Sequence, residues 1–288
     1  MDELAAHGLA GLAPAPLARR GFMMSSLISG FTLAAARVEA AAIYTDSAGL
    51  DAGETRIPVA DGSLPGYFAR PQGAGPFPTV LVIEEIFGVH AYIKDVCRRL
   101  ARLGYLAVAP ELYARIADLS QMSDAQQIFR DVISKAPDAQ VLADLDATAA
   151  WAAGQAGDPA RLGVIGFCRG GRDTWLYAAH NPALRAAVAW YGPVATPSSA
   201  IQPQAPMDIA AALKCPLLGL YGGQDPSIRP ADVEAAAARA TAAGKSVEIV
   251  IYPDAPHGFH ADYRPSYRPA DAEDGWKRML AFLHQHGV

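Results

Sequence analysis

The stretch Gly166-Phe167-Cys168-Arg169-Gly170-Gly171 decides how this chain folds. It follows a short apolar run at 162–165 and precedes a segment at 174–179 that has the composition of a helix. A reactive side chain between glycines, where a strand turns sharply into a helix, is the pattern of a nucleophile elbow. The first amide groups of the helix then point at that side chain, where they favour a thiolate and can bind an oxyanion. We therefore predict that Cys168 is a catalytic nucleophile.

An acid and a histidine follow Cys168 in the order that such an elbow requires. A predicted strand at 216–221 leads into Asp225, and another at 247–252 leads into His257. Both residues are expected at the edge of the sheet that carries Cys168, which suits a nucleophile, its base and an orienting acid. A cysteine in a glycine-rich run can also be a buried packing residue. The order of acid and base favours the catalytic interpretation.

Strands alternate with helices along the rest of the chain, which predicts an α/β fold with a doubly wound, mostly parallel sheet of about eight strands and helices on both faces. A hairpin is predicted around Asp61-Gly62, between strands at 55–59 and 64–69. The further strands are predicted at 79–83, 105–110, 161–165, 186–191, 216–221 and 247–252. The helices are predicted at 90–103, 124–135, 139–154, 172–180, 230–243 and 271–286. We interpret residues 43–288 as a single domain.

The composition excludes several classes of protein. The chain has 288 residues, of which 51% are hydrophobic and 18% are charged, as in a globular enzyme. A net charge of −5 offers no electrostatic basis for binding nucleic acid. Only three cysteines are present, and this odd, sparse set does not make a disulfide framework. Cys97 and Cys215 are interpreted as packing residues.

Residues 1–42 are predicted to be a twin-arginine export signal. Arg19-Arg20-Gly21-Phe22 precedes a weakly apolar stretch at 22–36, and small residues at 40–42 supply a cleavage site. The apolar stretch is too short for a stable membrane span, which needs about 20 residues. The signal implies a periplasmic enzyme whose chain begins near Ile43. A disordered extension or an uncleaved amphipathic helix on a cytoplasmic protein are the alternatives.

Six motifs give the chain, over roughly residues 55–287, a resemblance to the dienelactone hydrolase family of the α/β-hydrolase fold. The motifs are Glu84-Glu85-Ile86-Phe87-Gly88-Val89, Pro110-Glu111-Leu112-Tyr113-Ala114-Arg115, the elbow itself, Tyr191-Gly192, Gly222-Gly223-Gln224-Asp225 and His257-Gly258-Phe259. The resemblance implies a triad of Cys168, Asp225 and His257. It also implies that Glu85 pairs with the thiol in the resting enzyme and takes part in its activation, so that the thiol is largely protonated without substrate.

The resemblance assigns the oxyanion hole and the substrate-binding residues as well. The backbone amides of Ile86 and Arg169 would bind the oxyanion. Arg115 matches a family arginine that binds the substrate carboxylate. A second such arginine lies four residues beyond the histidine in the family's bacterial enzymes, where this chain has Ala261. Arg264 is our candidate to replace it. The other candidate substrate-binding residues are Tyr113, Tyr191, Phe87 and Phe259.

Two patterns admit other chemistry. Glu84 and Glu85 could suggest a glycosidase, but neighbours at a strand end point to opposite sides, and we interpret Glu84 as a bystander. His257 and His260, with Asp254 and Asp262, form a loose metal-like pattern. The triad already accounts for His257, so we expect no metal and no organic cofactor.

The sequence thus predicts a hydrolase that cleaves a lactone or activated ester through a thioester intermediate, as in aromatic compound catabolism. A broad-specificity carboxylesterase or thioesterase on the same triad is the second interpretation. A non-catalytic ligand-binding fold and a redox-sensing thiol are alternatives of other classes. The expected partner is a small-molecule substrate, with no nucleic acid or stable membrane span, and the chain is expected to be a monomer or weak homodimer. Whether residues 117–138 cap the cleft is left open.

Overall fold

A single eight-stranded sheet organises the described part of the chain. The structure is a computed structural model that describes residues 43–288, so the predicted export signal lies outside the described residues. The strands are β1 (Leu50–Val59), β2 (Gly62–Pro71), β3 (Phe77–Ile83), β4 (Leu106–Pro110), β5 (Gly157–Phe167), β6 (Leu184–Trp190), β7 (Leu217–Gly222) and β8 (Val247–Tyr252). Their order in the sheet is β1-β2-β4-β3-β5-β6-β7-β8. β1 and β2 form the predicted antiparallel hairpin, and β3 to β8 run parallel. The predicted α/β-hydrolase architecture is confirmed.

Seven α-helices of the described residues flank the sheet. They are α1 (Ala91–Arg102), α2 (Ala125–Asp131), α3 (Asp138–Gly154), α4 (Arg169–His180), α5 (Pro206–Ile209), α6 (Pro230–Ala242) and α7 (Pro269–Gln285). Among residues 43–288 none of the helices combines the length and apolarity needed to cross a bilayer.

Several element boundaries differ from the sequence predictions, and three differences among the helices have a clear physical cause. α4 begins at Arg169 rather than at 172, because the carbonyl of Cys168 already accepts from the amides of Gly171 and Arg172. The predicted helix at 124–135 is broken after Asp131, and its end is a separate 3-10 turn, Ile133–Lys135. The short helix α5 was not predicted, since four residues are too few for a periodic pattern.

The core lies on both faces of the parallel strands. Every residue of β4 is buried, as are residues 79–83 of β3 and the last six residues of β5. Such continuous apolar runs are typical of strands covered by helices on both sides. The carboxyl ends of β3 to β8 therefore meet at one edge, and the loops after them carry the site.

Candidate active site

Cys168 occupies a strained turn between β5 and α4. Its backbone has φ 55° and ψ −114°, a region that residues other than glycine rarely adopt, and its amide donates to the carbonyl of Trp190 at 2.9 Å. The flanking glycines are required by close approach: a Cβ on Gly166 would overlap the carbonyl of Gly170, and one on Gly170 would overlap the backbone of Ile83 and Glu84. The elbow therefore aims the Cys168 side chain at the carboxyl edge of the sheet.

Asp225 and His257 meet beside Cys168. A hydrogen bond of 2.6 Å joins Nδ1 of His257 to Oδ2 of Asp225, and both side chains are almost completely buried. The other carboxylate oxygen, Oδ1, accepts from the amide and hydroxyl of Ser227 at 2.8 and 2.6 Å and from the amide of Ile228 at 3.1 Å. The acid is thus fixed by three donors besides the imidazole, which orients His257 toward Cys168.

The electrostatics of the site favour a protonated thiol. Complete burial raises the pKa of Cys168. The charge of His257 and the hydrogen bond to it lower this pKa, whereas the charge of Glu85 raises it. Burial alone would lower the pKa of His257, but the charges of and hydrogen bonds to Asp225 and Cys168 together outweigh it, and the net shift is upward. The resting site therefore contains a neutral thiol beside an imidazole that readily holds a proton.

Glu85 reaches the same place from the loop after β3. Its Oε2 accepts from the hydroxyl of Tyr263 at 2.6 Å and lies 3.6 Å from Nε2 of His90. Its Oε1 lies 3.0 Å from Nη2 of Arg264, a contact without hydrogen-bond alignment. Burial would raise the pKa of Glu85, but the charges of Arg264 and His90 and the hydrogen bonds outweigh it and lower the pKa to about 2. Glu85 is thus a carboxylate, and in this structure its contacts are with Tyr263, Arg264 and His90.

Arg264 is fully buried and is the cation of this part of the site. Its guanidinium stacks on Phe87 and Tyr263, with 5.2 and 5.1 Å to the ring centroids, and its charge lowers the pKa of Cys168. Nη1 and Nη2 donate no hydrogen bond to any residue of 43–288. Unused guanidinium donors beside a nucleophile can bind an anionic ligand.

Comparisons with known proteins identify the family. The model of the dienelactone hydrolase family matches residues 64–287. The chain belongs to the dienelactone hydrolase family. A Methylorubrum extorquens relative named "Putative carboxymethylenebutenolidase" is 57% identical over 274 residues, 94% of each chain. A Bradyrhizobium relative named "Probable 2-oxo-3-(5-oxofuran-2-ylidene)propanoate lactonase" is 35% identical over 76% of this chain and 88% of its own.

A solved structure agrees with this assignment. The crystal structure of a "Putative Dienelactone Hydrolase" from Klebsiella pneumoniae superposes with a TM-score of 0.80 at 54% identity, covering 82% of this chain and 99% of that one. The resemblance predicted from six motifs is therefore confirmed, and the chain is a carboxylic ester hydrolase of the dienelactone hydrolase type.

Within this dienelactone hydrolase fold, several predicted residues lie around the thiol. The ring of Tyr191 packs edge-on against His257 at 5.2 Å, and Phe87 contacts Arg264. Arg169 is the first residue of α4, so its amide is free of the helix ladder, and buried Ile86 follows Glu85 in the loop after β3.

Three other predicted residues are not brought to the thiol. Arg115 donates to Asp61 from Nε and Nη2 and to Asp144 from Nη1 and Nη2, at 2.6–3.0 Å, so that its guanidinium links the β1–β2 turn to α3. Tyr113 is buried and donates to Asp173 at 3.3 Å. Phe259 packs in the core against the rings of Trp190, Tyr191 and Tyr252. The geometry gives these side chains structural contacts.

Sequence reasoning missed His90 and Tyr263, which both contact Glu85. His90 ends the loop that carries Glu85 and stacks edge-on with Tyr263 at 4.9 Å. Tyr263 precedes Arg264, so its proximity to a predicted site arginine was the one available signal. Tyr263 lies 178 residues after Glu85 in the sequence, so no local pattern predicts their contact.

The loose metal-like pattern is taken up by other contacts. Nδ1 of His260 is hydrogen-bonded to the hydroxyl of Tyr92 at 2.5 Å, and Asp262 accepts from Arg99 at 2.5 Å. Asp254 is exposed, and His257 is paired with Asp225. The histidines therefore point to different neighbours.

Residues 117–138 lie against the start of α4. Gln202 donates from Nε2 to the carbonyls of Ile133 and Ala136 at 2.7 and 2.9 Å, which fastens this segment to the loop after β6. A cavity of about 160 Å³ remains between the two, with Phe129 on one wall and Arg169 at the base. The side chain of Arg169 donates a hydrogen bond to Asp173 at 3.1 Å, which fixes the position of its guanidinium. The segment thus covers the residue next to the nucleophile.

Proposed function

We propose that this chain hydrolyses lactones or activated esters that carry a carboxylate, through Cys168, His257 and Asp225. The observation that carries the proposal is the hydrogen-bonded pair of Asp225 and His257 at 2.6 Å beside a cysteine held at positive φ. A strained backbone at a residue beside an acid–base pair is typical of a catalytic nucleophile. The strain destabilises the fold, so the surrounding contacts have to offset it. A packing cysteine has no need of it.

The chemistry proceeds in two halves. His257 takes the proton of Cys168, and the thiolate attacks the carbonyl carbon while the amides of Ile86 and Arg169 bind the oxyanion. Collapse of the intermediate breaks the ester C–O bond, and His257 returns the proton to the leaving oxygen. A water molecule then gives a proton to His257 and attacks the thioester, which releases the acid and restores the thiol.

The preference for an anionic substrate rests on Arg264 and Glu85. A substrate carboxylate can take the unused Nη1 and Nη2 donors of Arg264 and compete with Glu85 for this cation. The Bradyrhizobium relative is named for a substrate of this kind, an anionic lactone. The broad esterase or thioesterase interpretation is favoured by one observation: the donors of Arg115 are used by Asp61 and Asp144, which leaves a single arginine for the carboxylate.

The test compares an anionic dienelactone with neutral p-nitrophenyl acetate, on wild type and Cys168→Ala. Turnover of the lactone that vanishes in the mutant supports the proposal. Activity on the neutral ester alone keeps the nucleophile and moves the assignment to a general esterase. A Cys168→Ala variant that keeps full activity would remove Cys168 from the mechanism, and no turnover at all would favour a ligand-binding role.

We also propose that residues 1–42 direct export through the twin-arginine route. Arg19 and Arg20 before a weakly apolar stretch support this. N-terminal sequencing of the protein from its own host tests the proposal. A chain that begins near Ile43 outside the cytoplasm supports it, and a cytoplasmic chain that still begins at Met1 contradicts it.

A further inference from the structure

Glu84, interpreted from sequence as a bystander, is a fully buried carboxyl group at the base of the oxyanion loop. It directly follows β3, and Glu111 directly follows β4, the parallel neighbour of β3 in the sheet. The two side chains therefore meet between the loops that leave these strands. Neither residue has a place in the chemistry proposed above.

The two glutamates hold each other's loops by a reciprocal pair of hydrogen bonds. Oε1 of Glu84 accepts from the amide of Leu112 at 2.8 Å, and Oε1 of Glu111 accepts from the amide of Val89 at 3.1 Å. Gly88, at φ 81°, packs against the Glu111 carboxyl, where a Cβ would lie 3.2 Å from Oε2. The segment 84–89, which carries Glu85 and Ile86, is thus fastened to the β4 loop at both of its ends.

The remaining oxygens of the pair require a proton. Oε2 of Glu84 is buried and has no hydrogen-bond donor among the described residues, while the carboxyl of Glu111 lies beside it. Two carboxylates cannot both stay charged at such a place, so a proton on one of them turns repulsion into a hydrogen bond. Burial, and then the charge of Glu111, raise the pKa of Glu84 well above its usual range, and burial also raises that of Glu111.

Other ionisable groups bear on the pair from the surrounding elements. Asp173 of α4 and Tyr113 face Glu84, while Lys94 of α1, Glu54 of β1 and His90 act on Glu111. On the Glu84 side, the charge of Asp173 favours retention of the proton. The cations Lys94 and, when protonated, His90 act on the outer, partly buried Glu111.

We propose that Glu84 and Glu111 are positioning residues that share one proton and thereby hold the Ile86 amide and Glu85 in their working places. Loss of that proton at alkaline pH charges both side chains, pushes the two loops apart and lowers turnover. The inference rests on the proposed hydrolytic function and adds a role for two residues that touch no reacting atom.

The test uses Glu84→Gln, Glu84→Leu and wild type with p-nitrophenyl acetate from neutral to alkaline pH. The glutamine amide accepts from Leu112, donates to Glu111 and cannot ionise, so we expect kcat within ~3-fold of wild type at neutral pH and an alkaline loss displaced to higher pH. Leucine keeps the volume but not the bonds, so kcat should fall ~10- to 100-fold with little change in KM, because the oxyanion hole acts in the transition state.

The outcomes separate this inference from the function on which it rests. An unchanged kcat in Glu84→Leu, or an alkaline limb of Glu84→Gln identical to wild type, overturns the positioning pair. Cys168→Ala, measured in parallel, addresses the hydrolytic function alone: retained activity there refutes the nucleophile and leaves the comparison of the Glu84 variants readable. If Glu84→Leu does not fold, Glu84→Gln alone decides, because its amide preserves every hydrogen bond.

Discussion

Two buried ion pairs flank Cys168, and they are built differently. Asp225 and His257 are joined by a hydrogen bond of 2.6 Å, and the acid is further fixed by neighbouring donors. Glu85 and Arg264 lie 3.0 Å apart without hydrogen-bond alignment, and the guanidinium keeps unused donors. The pair of Asp225 and His257, here called the fixed pair, suits an acid–base function. The pair of Glu85 and Arg264, here called the exchangeable pair, can exchange a partner when an anion binds.

The largest expected effect comes from breaking the fixed pair. Asp225→Asn leaves the shape intact but removes the charge that raises the pKa of His257 and selects its tautomer. We expect kcat to fall roughly 10³- to 10⁴-fold on every substrate. Steady-state kinetics with a lactone and a neutral ester measure it. Asp254→Asn, an exposed acid in the loop that carries His257, is the control, and equal losses in the two variants would contradict the assignment.

Arg264→Lys weakens the exchangeable pair while keeping its positive charge. Lysine lacks the planar fork that binds a carboxylate through two donors. We expect kcat/KM to fall ~10- to 100-fold for an anionic lactone and less than ~3-fold for p-nitrophenyl acetate. Arg268→Lys, on the exposed stretch before α7, serves as control. Equal losses on both substrates would mean that Arg264 supports the site without recognising the anion.

Glu85→Gln tests the influence of the exchangeable pair on the nucleophile. The carboxylate raises the pKa of Cys168, so its removal should lower that pKa and increase thiolate at a given pH. The midpoint of the pH profile for alkylation by iodoacetamide should therefore move to lower pH, and alkylation near neutral pH should become faster. Glu273→Gln on α7 is the matched surface change. A profile that stays in place would remove Glu85 from the control of the thiol.

The smallest expected effect concerns Arg115. Because its donors are used by Asp61 and Asp144, Arg115→Gln should change kcat/KM for an anionic lactone by less than ~2-fold. The same variant should unfold at lower urea concentration, since it leaves buried Asp144 without its counter-ion. A selective loss on the anionic lactone, absent with the neutral ester, would instead return Arg115 to the substrate site.

The sequence predicted those site residues that lie directly after a strand. Cys168, Asp225 and His257 each lie just beyond a strand of the parallel sheet, so their order and spacing placed them at one edge before any coordinates. The hairpin around Asp61-Gly62 was equally readable, because turn chemistry is local. What is local along the chain could be predicted.

Contacts between residues that lie far apart in the sequence could not be predicted. Arg115 matched a family motif, but its ion pairs reach back to Asp61 and forward to Asp144, across 54 and 29 residues. Glu84 looked incidental because its partner Glu111 lies just beyond β4, the neighbouring strand of the sheet. Buried charges are placed by whichever opposite charge the tertiary structure brings near, and a linear pattern does not contain that information.

The burial of Cys168 also affects how readily the protein is oxidised. Oxidants consume cysteines that are ionised and within reach, and Cys168 in this structure has no exposed surface and a raised pKa. Between substrates the sulfur is therefore a poor target for peroxide. We therefore expect an enzyme stored without substrate to lose little activity to oxidation.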